Sequence, residues 1–163
     1  MGSYNYGKYE VCDWIRQNFP LESTILDVGA CDAKWRILLH EYQNMDAVEI
    51  FEPNAKRIQP LYGNVYNVDI FDFKYEWYDL IIFGDVIEHM TVERARAVLE
   101  YAWNRCKQMI VAVPFEYFQP PIYGNKWEEH IQNDLTRENF DERYPGFKVL
   151  WDNVEDYCYY IKA

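Results

Sequence analysis

Apolar residues recur along this chain in two alternating rhythms. Val11, Cys12, Ile15 and Phe19 fall at helical spacing, and Pro20 ends the run. Thr24 to Val28 is a short β-branched run that predicts a buried strand. Trp35, Leu38, Leu39 and Tyr42 then sit at i, i+3, i+4 and i+7, one face of a second helix. Ala47 to Ile50 predicts a second strand, Pro53 opens a short helix, and Val65 to Val68 predicts a third strand. Tyr78 to Phe83 is the clearest buried strand. Thr91 caps the next helix, with Glu93 in the first turn where a carboxylate suits the dipole. Val92, Ala95, Leu99, Ala102, Trp103 and Cys106 make its apolar side. Met109 to Val113 predicts a fifth strand ended by Pro114. Thr136 to Arg143 reads as a short helix, and Phe147 to Trp151 and Tyr157 to Ile161 as two further strands.

Five strands alternating with helices predict a mainly parallel sheet covered on both faces. The two further strands, joined by Asp152 to Asp156, predict an antiparallel hairpin whose acidic turn keeps the sheet edge soluble. The expected fold class is α/β, a three-layer α/β/α sandwich on a mostly parallel seven-stranded sheet with a C-terminal antiparallel hairpin. Ligands of such sheets bind at the carboxyl ends of the strands, where the strand order reverses. That rule points to the loops Asp27–Lys34, Glu49–Asn54, Asp69–Phe73, Asp85–Thr91 and Pro114–His130.

A length of 163 residues fits a single domain over 1–163, with a full core and no need of disulfides or metals. The charge narrows the function. Against 16 bases stand 27 acids, a net −11, and phosphate contacts need clustered Lys and Arg, so the chain is not a general polyanion binder. Its hydrophobic half and 18% aromatic content exclude a disordered chain. No apolar run approaches the ~20 residues of a membrane span, and no basic-then-apolar leader is present. Cys12, Cys31, Cys106 and Cys158 lack C-x-x-C spacing. They read as buried or incidental thiols in a reducing compartment, and the expected location is cytoplasmic with no membrane partner.

Chemistry enters at the strand ends. The segment Ile25 to Trp35 runs a strand through a tight Gly/Ala/Cys turn into a helix. Small residues there let a ligand approach the backbone and the free N–H groups of a helix start. Gly29 alone is equally a plain strand-to-helix turn. Paired with Glu49, 22 positions beyond Asp27, it points to a nucleoside-containing ligand whose ribose hydroxyls the acid accepts.

The segments "ILDVGACDAKW", "AVEIFEPN", "NVDIFDF" and "YDLIIFGDVIEHM" resemble, in order and spacing, class I S-adenosylmethionine-dependent methyltransferases. The resemblance is firm over residues 24–115 and implies a Rossmann-like fold with S-adenosylmethionine as cofactor. It implies that Asp27 and Gly29, with Ala30 and Cys31 in the same turn, line the methionine end. Glu49 would hold the ribose and Ile50 pack on the adenine. Asp69 would accept from the adenine amino group with Ile70 beside it, and Asp85 and Val86 would border the departing methyl. The family's loop is Gly-x-Gly-x-Gly; here Cys31 and Ala33 replace its second and third glycines. Positive φ at those two positions would be costly.

Asp85-Val86-Ile87-Glu88-His89, joined later by His130, places two carboxylates and two imidazoles within reach of one divalent metal. It resembles the E-x-x-E-H pattern, with a later His, of small-RNA terminal 2′-O-methyltransferases. Equally, Glu88 and His89 are residues of a loop common to the wider family, so a metal stays unassigned. His130 reads either as a general base or as a surface histidine among acids. Residues 128–156 hold nine acids and three bases, which counts against an RNA partner. Phe115, Tyr117, Phe118, Tyr123 and Trp127 read as a substrate-pocket wall or as cover for a sheet edge or homodimer surface. The stretch from Tyr4 to Phe19 is a second candidate cover for a pocket.

The expected function is methyl transfer from S-adenosylmethionine to an oxygen or nitrogen of a small-molecule acceptor, with Asp85, His89 and His130 on the acceptor side. The alternatives are a non-catalytic binding protein on the same fold and a metal-dependent RNA-terminal 2′-O-methyltransferase.

Overall fold

In the computed structural model, which describes residues 6–153 and 155–163, the two rhythms resolve into helices alternating with strands as far as the fifth strand, except that the third and fourth strands follow one another with no helix between them. In chain order they are α1 Lys8–Asn18, β1 Ile25–Val28, α2 Lys34–Leu38, β2 Met45–Val48, α3 Glu52–Ile58, β3 Val65–Tyr66 and β4 Tyr78–Gly84. Then follow α4 Val92–Trp103, β5 Cys106–Pro114, α5 Arg137–Arg143, β6 Lys148–Asp152 and β7 Tyr157–Lys162. The sheet has seven strands in the order β3-β2-β1-β4-β5-β7-β6. The first five are mutually parallel; β7 runs antiparallel to both β5 and β6. The strand order reverses between β1 and β4, whose register sets Asp27 beside Ile82 and Val28 beside Phe83.

Side chains alternate across the pleat, and the sheet is buried on both faces, so even the odd residues of a strand are apolar. Leu26, Val28, Ile81, Phe83, Met109 and Val111 face one layer, where α4 brings Val98 and Leu99 and α5 brings Phe140. Phe140 stacks flat on Tyr160, with ring centroids 3.7 Å apart. Ile25, Leu80, Ile82, Ile110 and Ala112 face the other layer, filled by Val11, Cys12 and Ile15 of α1, Trp35 of α2 and Ile58 of α3.

Four element boundaries differ from the sequence expectation. Helix α2 stops at Leu38, so Tyr42 is not on its face. Tyr42 is nevertheless fully buried, and its hydroxyl donates to the Phe19 carbonyl at 2.9 Å, which its apolar period alone does not reveal. The Arg36 guanidinium donates to the carbonyls of Leu39 and Tyr42, acceptors that a longer helix would have used, and to the distant Leu61 carbonyl. Strand β2 begins and ends two residues earlier, leaving Glu49 and Ile50 in the loop beyond it. Strand β3 is only two residues long. Cys106 opens β5 instead of closing α4. The remaining elements, including the Thr91 cap, stand close to where the pattern placed them, and Thr136 serves α5 as its N-cap. Val154 in the β6–β7 turn, and Tyr4 of the N-terminal stretch, lie outside the described residues. Among those described, no helix is long and apolar enough to cross a membrane.

Candidate functional site

At the reversal point the loops after β1, β2, β3, β4 and β5 converge on one cavity of about 450 Å³. Gly29, Ala30, Cys31, Glu49, Ile50, Asp69, Ile70, Asp85, Val86, His89 and His130 all line it. Asp27 is not among the lining residues. It is buried at the end of β1, with Oδ2 accepting from the Tyr62 hydroxyl at 2.6 Å. Burial pushes its carboxyl up to about 7.

The first loop follows a glycine-like path without the glycines. Gly29 has φ 71° and a Cβ there would lie 2.5 Å from the Val86 Cγ2. Cys31 and Ala33 also adopt positive φ, 41° and 60°. Such a conformation costs an L-residue about 1–2 kcal/mol, so the surroundings must hold it. They do so through Glu49, whose Oε2 accepts the Cys31 N–H at 2.8 Å, and through Arg57, which donates to the Cys31 carbonyl at 3.0 Å. Glu49 Oε1 accepts the Phe51 N–H at 2.8 Å. Two backbone donors therefore fix this carboxylate at the cavity wall, although burial raises its pKa. Asp69 is fixed likewise: Oδ1 accepts the Phe71 N–H at 2.9 Å and Oδ2 pairs with Arg94.

The opposite side of the site carries the acid–histidine group. Asp85 directly follows β4 at φ 57°, and its Oδ1 accepts the Tyr157 hydroxyl at 2.5 Å. Its Oδ2 and both oxygens of the fully buried Glu88 have no donor among the described residues. Burial, then the charge of Asp85, pushes the Glu88 carboxyl well up. His89 Nδ1 lies 3.0 Å from the Glu129 carbonyl, and His130 Nδ1 lies 2.9 Å from the Tyr117 carbonyl. A carbonyl only accepts, so Nδ1 carries the proton in each ring and Nε2 presents a lone pair. Burial lowers both imidazole pKa values and favours the neutral form. One donor atom from each of Glu88, His89 and His130 falls within 4.8 Å of the others. Three lone-pair donors so placed can accept a proton from a bound nucleophile or share one divalent cation. His130 is buried, which removes the solvated-surface reading.

The loop from Pro114 to Ile131 brings His130 to this point. Its return is pinned where the Ile131 and Gln132 N–H groups both donate to the Glu88 carbonyl. Gln132 Nε2 donates to the Ile87 and Met90 carbonyls, and Gln132 Oε1 accepts from the Tyr144 hydroxyl. The loop aromatics divide. Tyr117 and Trp127 line the cavity, Phe115 is buried below it, and Phe118 and Tyr123 point outward.

Among the lining residues that sequence reasoning missed as site residues are Lys8, Trp35 and Tyr157. Lys8 carried a signal: with Val11, Cys12 and Ile15 it stands at i, i+3, i+4 and i+7, a lysine on the buried face of α1. Burial lowers its pKa, while Asp85 and Asp27 oppose that shift. Trp35 was read only as core. Nothing local marks Tyr157 as a partner of Asp85, 72 positions away.

No protein-family model matches the sequence, and no curated protein is significantly similar to it. The fold, however, is shared with solved methyltransferase structures. An S-adenosylmethionine-dependent methyltransferase from Clostridium acetobutylicum superposes with TM-score 0.72 at 12% identity, over 99% of this chain and 91% of that one. Magnesium protoporphyrin IX methyltransferase from Synechocystis, with bound S-adenosylmethionine, gives 0.64 at 14% identity over 100% and 86%. The 1,6-didemethyltoxoflavin-N1-methyltransferase of Burkholderia thailandensis, bound to 1,6-didemethyltoxoflavin and S-adenosylhomocysteine, gives 0.69 at 14% identity over 93% and 75%.

Proposed function

From a chain with the class I S-adenosylmethionine-dependent methyltransferase fold, we propose an enzyme that transfers a methyl group to an oxygen or nitrogen of a small-molecule acceptor. We take it to act as a single cytoplasmic domain, without nucleic-acid or membrane partners. The observation that carries this reading is Glu49, a buried carboxylate fixed by two backbone N–H groups at the wall of the strand-end cavity. Its remaining lone pairs suit the two hydroxyls of a ribose. Ile50 and Ile70 offer apolar packing to the adenine, and Asp69 an acceptor to its amino group. When bound, the cofactor supplies an electrophilic methyl on a sulfonium. The acids around the cavity favour that positive charge.

On the acceptor side, His89 and His130 hold Nε2 lone pairs that take the proton of a hydroxyl or amine. Transfer is an in-line displacement, so the closed loop contributes chiefly by positioning and by excluding water. Calorimetry with S-adenosylhomocysteine tests the reading: binding is expected, and none at millimolar ligand would overturn it. Glu49→Ala should weaken that binding about tenfold or more, the worth of a lost pair of hydrogen bonds to a charged group.

One observation favours a second reading of the acceptor side. Both Nδ1 protons are committed to carbonyls, the arrangement that orients metal-ligating histidines, and the Glu88 carboxyl oxygens have no hydrogen-bond partner among the described residues. A divalent cation on Glu88, His89 and His130 would orient a hydroxyl acceptor and ease its deprotonation. Titration with Mn²⁺ or Co²⁺ should then show one site that His130→Ala removes. Methyl transfer undiminished by chelation would leave the histidines as bases alone. The nine acids of residues 128–156 keep the acceptor a small molecule in either reading, and a non-catalytic binding protein would be shown by tight cofactor binding with no transfer to any acceptor in a broad screen.

A further inference from the structure

The acceptor side of the cavity is rich in hydrogen-bond acceptors and short of donors. Asp85 Oδ2 and both oxygens of Glu88 are buried without a donor among the described residues, and Glu88 is 0% exposed. His89 and His130 turn their Nδ1 protons to backbone carbonyls, which leaves each Nε2 as a lone pair. The two rings meet edge to face with centroids 4.7 Å apart, and one atom from each of Glu88, His89 and His130 falls within 4.8 Å of the others. The charge of Asp85 acts on all three, so it belongs to the same group. Three carboxyl oxygens and two ring nitrogens thus line one side of the cavity. A proton held on Glu88 by burial supplies a single donor among them. Buried acceptors without donors are uncommon and costly, so this group calls for a ligand that brings donors.

The donors that a nucleophile carries then decide its kind. An alcohol has one O–H, gives that proton to a histidine as it reacts, and keeps none for Glu88. A primary amine arrives as an ammonium with three N–H groups. After one proton has passed to a histidine Nε2, two N–H donors stay on the carboxyl oxygens and the nitrogen lone pair is free. An alcohol completes the site only with a metal ion beside it; an amine completes it alone. Glu128 lines the same cavity, with the side-chain amides of Asn125 and Gln119 donating to its carboxylate at 3.2 and 3.4 Å. Its charge reaches Glu88 and His130 and favours a cation on this side over an anion.

We propose that the methyl acceptor is a primary amine, received as its ammonium by Glu88, Asp85 and the two histidines. This rests on the methyl-transfer reading above and narrows it from oxygen or nitrogen to nitrogen. The ammonium loses one proton to a histidine Nε2. The nitrogen lone pair then forms the N–C bond, while the C–S bond breaks and its electron pair goes to sulfur. The products are the N-methylated ammonium and S-adenosylhomocysteine, and the histidine returns its proton to solvent.

The test is calorimetry on the metal-free protein saturated with S-adenosylhomocysteine. The ligands are benzylamine, benzyl alcohol and N,N-dimethylbenzylamine, with the matching butyl compounds as a second skeleton; the benzyl body suits Tyr117 and Trp127 of the cavity wall. The primary amine should bind roughly 10- to 100-fold more tightly than its alcohol, the scale of hydrogen bonds to charged groups. The dimethylamine keeps the positive charge but only one N–H, so it should lose most of that advantage. Equal binding of the two amines would show that charge alone is read and would overturn the donor count. An alcohol that binds as tightly as its amine, or does so once Mn²⁺ is added, also overturns the proposal. So does a protein that binds S-adenosylhomocysteine and none of these ligands at millimolar concentration. Glu88→Gln keeps the shape of the side chain and removes the carboxylate, so it should cut the preference for the amine about tenfold. An unchanged preference would take Glu88 out of the acceptor site and overturn the assignment; if the variant does not fold, the wild-type affinities decide. Failure of the wild type to bind S-adenosylhomocysteine at all is a different result, and it strikes the cofactor reading itself.

Discussion

Asp27 sits near the end of β1 as a carboxyl with one oxygen on Tyr62 and the other, Oδ1, without a donor among the described residues. The unfolded chain releases this proton near 3.8, the folded chain near about 7. Between those values the folded state keeps a proton that the unfolded state has lost. The stability this gives is complete below about pH 4 and is lost as pH rises through about 7. Glu88, raised in the same direction, adds to the same slope. Asp27→Asn keeps an acceptor for Tyr62 and cannot ionise, so its melting temperature should fall less than the wild type's between about pH 5 and pH 8. An equal fall in both would assign the slope to other groups. Gly29 gives a second expectation at this scale. Gly29→Ala must adopt φ 71° and push against Val86, so about 2 kcal/mol or more should be lost in urea unfolding, with S-adenosylhomocysteine binding abolished. Residues of this kind were legible because their motif is local: a strand, a turn and an acid at fixed spacing. The positive φ of Cys31 and Ala33 was foreseen as a cost, and the loop bears it because Glu49 and Arg57 hold the turn from outside. Lys8, Trp35 and Tyr157 were not legible as site residues, since each becomes one only when distant segments meet.

At the scale of elements, long apolar strands such as β4 and β5 were readable to within a few residues, because burial on both faces leaves an unbroken run. Short elements were not. The period that ran on to Tyr42 belongs to a turn, and the carbonyls there are claimed by Arg36 instead of by helical N–H groups. The Pro114–His130 loop was recognised as a candidate cover, but its course depends on Gln132. That one buried amide satisfies two carbonyls and one hydroxyl. Gln132→Ala strands the Met90 carbonyl and the Tyr144 hydroxyl, each worth about 1–3 kcal/mol when buried without a partner, while the Ile87 carbonyl keeps the Met90 N–H. The variant should lose at least about 2 kcal/mol of stability. His130 should also leave its place beside His89, a change visible as a shift of both imidazole resonances. Unchanged resonances would mean that the loop holds its shape without Gln132.

The whole molecule carries a net −11, and that charge opposes compactness. Screening shortens from ~30 Å at 0.01 M salt to ~8 Å at 0.15 M. Salt also weakens exposed ion pairs such as Arg143–Asp134, but these are each worth only about 0–1 kcal/mol. Relief of the overall repulsion should win, so the melting temperature should rise by a few degrees as sodium chloride is raised from about 10 to about 200 mM. A fall would show that ion pairs dominate. Sheet topology at this scale was legible as a parallel core with an antiparallel hairpin, because alternation and chain order constrain it. The strand order within the hairpin was not, and it has its own consequence. Strand β7 follows β6 in sequence yet lies between β5 and β6 in the sheet. While a ribosome is still delivering the chain, β6 therefore has no edge to join. It waits until Tyr157 to Lys162 emerge and slide in against β5, and the same event brings the Tyr157 hydroxyl to Asp85. A premature stop anywhere before Tyr157 removes two strands from the sheet at once and leaves Asp85 without its tyrosine, so a truncated product should be recognised by cellular proteases as unfinished.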